Sequence, residues 1–164
     1  MSSEEQLLTL DIALLRLDGG TQVRAKLARS LVKEYAARME AGDVFPPVIV
    51  VFDGQHHWLA DGFHRLHAHL ALKRTTIECR VFEGTVRDAV LVALKANSAH
   101  GLRRSNADKR RAVEIVLRDE EWSKKSTRWI AEVCGVSREL VEGTRRQVAE
   151  STTYPIEGDA ESTT

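Results

Sequence analysis

The spacing of apolar residues changes several times along this 164-residue chain, and each change marks an element. The stretch from Leu7 to Leu15 reads as a strand and loop. Past Gly19-Gly20, Leu27, Leu31, Tyr35 and Met39 recur every fourth position, which puts one apolar stripe on a helix. Gly42 closes that helix, and Phe45-Pro46-Pro47 forces an extended backbone into Val48-Ile49-Val50-Val51-Phe52. A continuous β-branched run of this kind predicts a strand buried on both faces. Asp53-Gly54 turns the chain into a short return strand, His57 to Ala60.

After Asp61-Gly62 the pattern is helical from Phe63 to Leu72, then extended from Thr76 to Phe82, with a break at Gly84. Thr85-Val86-Arg87-Asp88 has the form of a capping box and opens a helix to about Asn97, a unit closed by His100-Gly101. A second box, Ser105-Asn106-Ala107-Asp108, opens a helix through Val113, Val116 and Leu117. Two short helices with a tight turn follow Trp122. The Ser/Thr-rich acidic stretch from about Ser151 lacks periodicity and is expected to be disordered. The fold class is thus α+β, a small mixed sheet with flanking helices plus an all-α module. The expected units are residues 1–100, 101–148 and an acidic tail, 149–164.

An apolar content of 43% supplies a core, while no apolar run approaches the ~20 residues that span a bilayer. Met1-Ser2-Ser3-Glu4-Glu5 is unlike a signal peptide. Cys79 and Cys134 stand apart, with neither a zinc spacing nor a disulfide framework, and read as buried thiols of a cytoplasmic protein. The net charge of zero conceals an uneven distribution. Residues 1–100 carry 12 basic and 12 acidic residues, residues 101–148 carry 12 and 8, and residues 149–164 carry none and 4. The helical segment is therefore modestly basic, which suits phosphate binding but is matched by many solvated helices.

Ser126 to Val148 has the layout of a DNA-binding helix-turn-helix. Ala131 is small where two helices cross, Gly135 supplies a left-handed turn, and Val136 plugs the angle between the helices. Ser137 caps the second helix, while Ile130 and Val141 face the core. The second helix is expected to expose Arg138, Arg145 and Arg146, with Thr144 and Gln147 as further polar candidates. Because the start of the second helix enters the major groove, Arg138 is the base-reading candidate. Arg128, Arg145 and Arg146 are phosphate contacts. The alternative is a helical hairpin used for packing, favoured by Glu139, Glu142 and Gly143.

Asp61-Gly62 lies between a strand and a helix, where free backbone N–H groups and the helix dipole favour an anion. Arg65 in the first turn suits a bidentate phosphate clamp. The competing reading is a structural helix start with Arg65 in an internal ion pair. His64 and His67, three apart, lack a third ligand beyond Asp61, so zinc is not expected.

Gly62-Phe63-His64-Arg65-Leu66-His67-Ala68 resembles the Gly-Glu-Arg-Arg-x-Arg-Ala box of ParB partition proteins. Gln22-Val23-Arg24 resembles the family's Gln-Pro-Arg segment, and Gly42 with Pro47-Val48-Ile49-Val50 resembles the loop and strand before the box. Asn97, with Arg103 and Arg104 beyond it, falls where the family carries Glu-Asn and an Arg. The resemblance runs from about Leu8 to Val148. It implies a ParB/sulfiredoxin-like fold, CTP or another nucleotide with magnesium, and DNA recognition by the helix-turn-helix. It places Gly62, His64 and Arg65 near phosphates and Asn97 near the metal. The departures are Phe63 for the Glu, His64 and His67 for two arginines, and Ala96 for the acidic partner of Asn97. No counterpart of the family's C-terminal dimerisation domain is expected after Val148.

The expected function is a ParB-like DNA-binding protein, a transcriptional regulator or partition-type factor responsive to nucleotide. DNA, a nucleotide and a second copy of the chain are its expected partners, in a nucleoid-associated, cytoplasmic setting with no membrane. Two alternatives are enzymes. Free-serine kinases carry a similar Asp-Gly-His-His-Arg, which would make Asp61 and His64 the catalytic candidates of a small-molecule phosphotransferase. A ParB-like nuclease would need an acidic metal cluster that the sequence lacks. Sulfiredoxin has a catalytic Cys where this chain has Phe63.

Overall fold

The computed structural model describes residues 4–99 and 103–153. Among them the chain runs β1 (Glu5–Asp11), a 3-10 turn (Ile12–Leu14), β2 (Leu15–Arg16), α1 (Arg29–Glu40), β3 (Val48–Phe52) and β4 (His57–Asp61). It continues through α2 (Phe63–Ala71), β5 (Thr76–Glu83), α3 (Val86–Ala99) and α4 (Asn106–Arg118). A 3-10 turn (Trp122–Lys124), α5 (Thr127–Cys134) and α6 (Arg138–Thr153) complete it. The expected α+β class is what the chain adopts.

The five strands form one mixed sheet in the order β1-β5-β3-β4-β2. The β-branched run of β3 takes the centre, parallel to β5 and antiparallel to β4. Val48, Val50 and Val51 are buried, as a strand covered on both faces requires. On one face Val48, Val50, Leu59, Ile77 and Val81 pack with Phe63 and Leu66 of α2. On the other, Val51 and Ala60 pack against Ala89 of α3. The register shifts between Ile49 and Val50, a bulge that leaves Asp61 opposite Ile49 at the end of β4.

α3 serves two layers. Ala89 and Val92 face the sheet. Val90, Ala93 and Leu94 join Val113 and Val116 of α4, Ile130 and Cys134 of α5, and Val141 of α6 in one buried cluster. The helices after residue 103 therefore share a core with α3, and truncating Leu94 or Ile130 to alanine would cost about 2–5 kcal/mol. Both capping boxes are formed. Thr85 and Asp88 bond reciprocally at the start of α3, and Ser105 and Asp108 do so at α4.

Two boundaries differ from expectation. The Leu7–Leu15 segment holds two strands separated by a 3-10 turn, because Asp11 caps that turn by accepting from the Ala13 N–H at 2.9 Å. α6 runs to Thr153 rather than ending at Val148, so residues 149–153 belong to a helix and not to a tail. No Gly or Pro interrupts the chain between Gly143 and Pro155, and the Ser151 hydroxyl bonds back to the Gln147 carbonyl at 2.6 Å. The His100-Gly101 break and the rest of the expected tail, 154–164, lie outside the described residues.

Candidate functional sites: a cleft and a helix pair

Segments distant in sequence wall one cleft of about 570 Å³. The loop before α1 contributes Gln22 and Arg24, the β4–α2 turn contributes Asp61 to Arg65, and α3 contributes Val92, Lys95, Ala96 and Asn97. The structure thus brings Asp61, Gly62, His64, Arg65 and Asn97 together. Sequence reasoning missed Lys95 and the aromatic wall made by Tyr35 and Phe45, whose ring centroids lie 4.9 Å apart. The signal was there for α3: Val92, Lys95 and Ala96 share one helical face by their i, i+3, i+4 spacing.

Gly62 makes the turn possible. It has φ 106°, and a Cβ there would come within 2.5 Å of the Val48 side chain. Only glycine fits both the left-handed backbone and the space. Arg65, one turn on, is largely committed. Its guanidinium donates to the carbonyls of Pro46 and Pro47 at 2.7 Å each and to the Asp61 carboxylate at 2.9 Å. This is the internal ion pair that competed with the phosphate clamp, and it splints the Phe45-Pro46-Pro47 loop to the start of α2.

His64 is also tied down. Its Nε2 accepts the Ala28 N–H at 3.1 Å, so the lone pair that a general base would use is occupied. Burial first, then the nearby charges of Arg24 and His67, hold its pKa below the ordinary value, in keeping with a neutral ring. Asn97 donates from Nδ2 to the Ala93 carbonyl at 2.9 Å. Neither cysteine is a nucleophile: both are buried, and burial pushes the thiols up to about 11 at Cys79 and about 12 at Cys134.

Magnesium, which the resemblance implies, does not fit this donor set. The ion takes oxygen ligands in a near-octahedral array, usually with one or two carboxylates. Among the described residues lining the cleft Asp61 is the sole carboxylate, and it is paired with Arg65. Position 96 presents a methyl group. Nowhere among the described residues do three His, Cys, Asp or Glu side chains gather as a metal site would need.

The second candidate is the pair α5 and α6. Ser126 caps α5 by accepting from the Trp129 N–H, and Ser137 caps α6 by accepting from the Leu140 N–H. Between them Gly135 adopts φ 59°, ψ 49°. Arg104, whose role sequence reasoning did not reach, donates to the carbonyls of Cys134 and Gly135 at 2.6 Å each and so satisfies the end of α5. Ala131, Ile130 and Val141 are buried as expected.

Arg138 and Arg146 are exposed on α6, and Arg128 is exposed on α5 in a loose pair with Glu132 at 3.3 Å. Two expectations need correction. Thr144 is not on the polar face: it is 2% exposed, and its hydroxyl donates to the Leu140 carbonyl. Arg145 is half-buried and reaches back to the carbonyls of Ser123 and Lys125 at 3.4 and 3.3 Å, bracing the loop before α5.

No helix among the described residues is long and apolar enough to cross a membrane. The fold is similar to that of the C-terminally truncated chromosome-partitioning protein ParB from Caulobacter crescentus, solved on its centromeric parS site. That likeness has a TM-score of 0.57 at 16% identity, over 87% of this chain and 72% of that one. A pNOB8-like ParB N-domain gives 0.63 at 13% identity, over 94% and 72%. In sequence, the chain is 35% identical over 91 residues to a Streptomyces griseus protein described as a possible regulatory protein of the streptomycin biosynthesis operon. The aligned part is 55% of this chain but only 26% of that relative, so the chain spans about a quarter of its length. Residues 1–98, from β1 to the last turn of α3, match the model of the ParB N-terminal domain, and the chain belongs to that family.

Proposed function

We propose that this protein is a DNA-binding regulator whose α5–α6 pair acts as a helix-turn-helix, with the cleft as the seat of a phosphorylated ligand that modulates it. One observation carries the reading. The left-handed turn at Gly135, locked by Arg104, sets two capped helices at a buried crossing and leaves Arg138 and Arg146 outward on the second. The start of such a helix enters the major groove. Arg138 therefore reads base edges, Arg146 and Arg128 hold phosphates, and Ser137 fixes the helix start. Arg145 supports the surface from behind. The parS-bound Caulobacter neighbour supports DNA as the partner class, and the Streptomyces griseus relative supports a regulatory role. Two copies on a two-fold axis would read paired half-sites about one helical turn apart.

Phosphotransfer is the weaker reading. A kinase of the free-serine type would need Asp61 or His64 to accept a proton, yet Asp61 is paired with Arg65 and the His64 Nε2 is occupied. Coupling between cleft and helix pair has a short path instead. Asn97 lines the cleft, while its neighbour Ser98 lies against Gly135. The Gln22–Ala25 loop adds a second link: Asp108 accepts from the Ala25 N–H at 2.9 Å, and Arg111 donates to the Gln22 carbonyl at 3.2 Å.

Selection of bound duplexes from a random DNA library tests the proposal. It predicts enrichment of one motif, arranged as an inverted repeat if two copies bind. Retention of no DNA, or recovery of duplexes with no enriched motif, would contradict it.

A further inference from the structure

We infer that the cleft binds a phosphate monoester carrying a planar apolar body, of the size of a nucleoside monophosphate, and does so without a divalent cation. This rests on the reading of the cleft as a ligand site and narrows the ligand class. Three observations carry it.

The first is charge. The described residues lining the cleft include the cations Arg24, Arg65 and Lys95 against the acid Asp61, a formal excess of two positive charges with histidines neutral. Asp61 is spent on Arg65 at 2.9 Å. Part of the Arg24 charge is answered by Asp108, whose carboxyl is held low against burial by the Ala25 and Ser105 hydrogen bonds and, to a smaller extent, by Arg24. Lys95, exposed in the lining, has no ion-pair partner among the described residues. What remains, Lys95 and part of the Arg24 charge, lies between one and two positive charges and suits one phosphate group, of charge about −1.5 to −2 at neutral pH. The larger charge of a triphosphate has no match here unless a metal ion offsets part of it.

The second is the donor set. A magnesium ion that offset a triphosphate would need carboxylate or free carbonyl oxygens beside it. The sole carboxylate of the described lining is already paired, and the α3 wall presents Ala96 next to Asn97. The third is the apolar wall. Tyr35, Phe45, Ile49, Phe63 and Val92 face the same space as the cations, and the volume of about 570 Å³ fits a ligand with one ring system and one charged end. Tyr35 and Phe45 offer a tilted aromatic corner for a planar group.

Calorimetric titration of the full chain with each of the four ribonucleoside monophosphates and triphosphates, in EDTA and in excess magnesium, tests this. At least one monophosphate should bind as tightly as its triphosphate, with affinities that change less than about twofold between EDTA and magnesium. Lys95→Glu should weaken that binding by about tenfold or more. Ala96→Glu, which adds a carboxylate to the α3 wall, should create magnesium dependence for the triphosphate. The inference is overturned if magnesium raises triphosphate affinity of the unaltered protein tenfold. It is overturned equally if a triphosphate binds tighter than every monophosphate in EDTA, or if no monophosphate binds. Each of these results leaves DNA binding by the helix pair to stand or fall on its own measurement.

Discussion

Ser98, the residue after Asn97 of the cleft wall, packs so closely on Gly135 that a methyl group at position 135 would overlap its side chain. The last turn of α3 thus touches the cleft with one residue and the turn between α5 and α6 with the next. Gly135→Ala meets that contact as well as the cost of a left-handed backbone, about 1–2 kcal/mol. Thermal unfolding should show a loss of roughly 2–3 kcal/mol, or a fall in Tm of roughly 5–10 °C. An unchanged Tm would mean that the α5–α6 turn is not packed on α3 as described.

Arg104 holds the same turn from its carbonyl side. Its planar fork spans Cys134 and Gly135, and a lysine cannot make two such bonds with one geometry. Arg104→Lys should therefore behave like Arg104→Ala, each losing about 1–3 kcal/mol in denaturant titrations. Full rescue by lysine would show that charge, and not the paired carbonyl bonds, is what matters at this position.

Stability should fall on mild acidification. Burial is the leading cause that holds His57, His64 and His69 below the ordinary imidazole value of about 6.5 in the folded chain. Above that value the rings are neutral in both states and their contribution is fully present. As pH falls below it, the unfolded chain takes up protons that the folded rings resist, and stability is lost until those rings titrate in turn. His64→Gln keeps an acceptor for the Ala28 N–H and removes the titration. Urea unfolding between neutrality and mild acid should then lose up to one proton of slope, about 1.4 kcal/mol per pH unit. An identical slope in the variant would remove His64 from the account.

The sequence was most legible where local rules and packing agree. The β-branched run at Val48–Phe52, both capping boxes and the left-handed glycine at position 135 each state their structure in a few neighbouring residues. Long-range contacts were less legible. Nothing near Arg65 in sequence reveals that Pro46 and Pro47 will take its guanidinium. Nothing near Arg104 points to carbonyls about thirty residues away. Thr144 was misplaced because a polar residue on a helix with Arg145 and Arg146 suggests an outer face. Threonine, however, can satisfy its hydroxyl within the helix and bury its methyl group.

The central claim is that α6 reads DNA with Arg138 and Arg146 while Thr144 belongs to the core. Fluorescence anisotropy of a selected duplex over a salt series tests it most directly. The unaltered protein should show log K falling linearly with log salt, with a slope near −0.9 per phosphate neutralised. Arg146→Ala should make that slope shallower by about one. Arg138→Ala should cost about 1–3 kcal/mol on the selected site and relax its specificity, whereas Thr144→Val should leave affinity for that site unchanged. Equal DNA affinity in Arg138→Ala, Arg146→Ala and the unaltered protein, with no dependence on salt, would contradict the account.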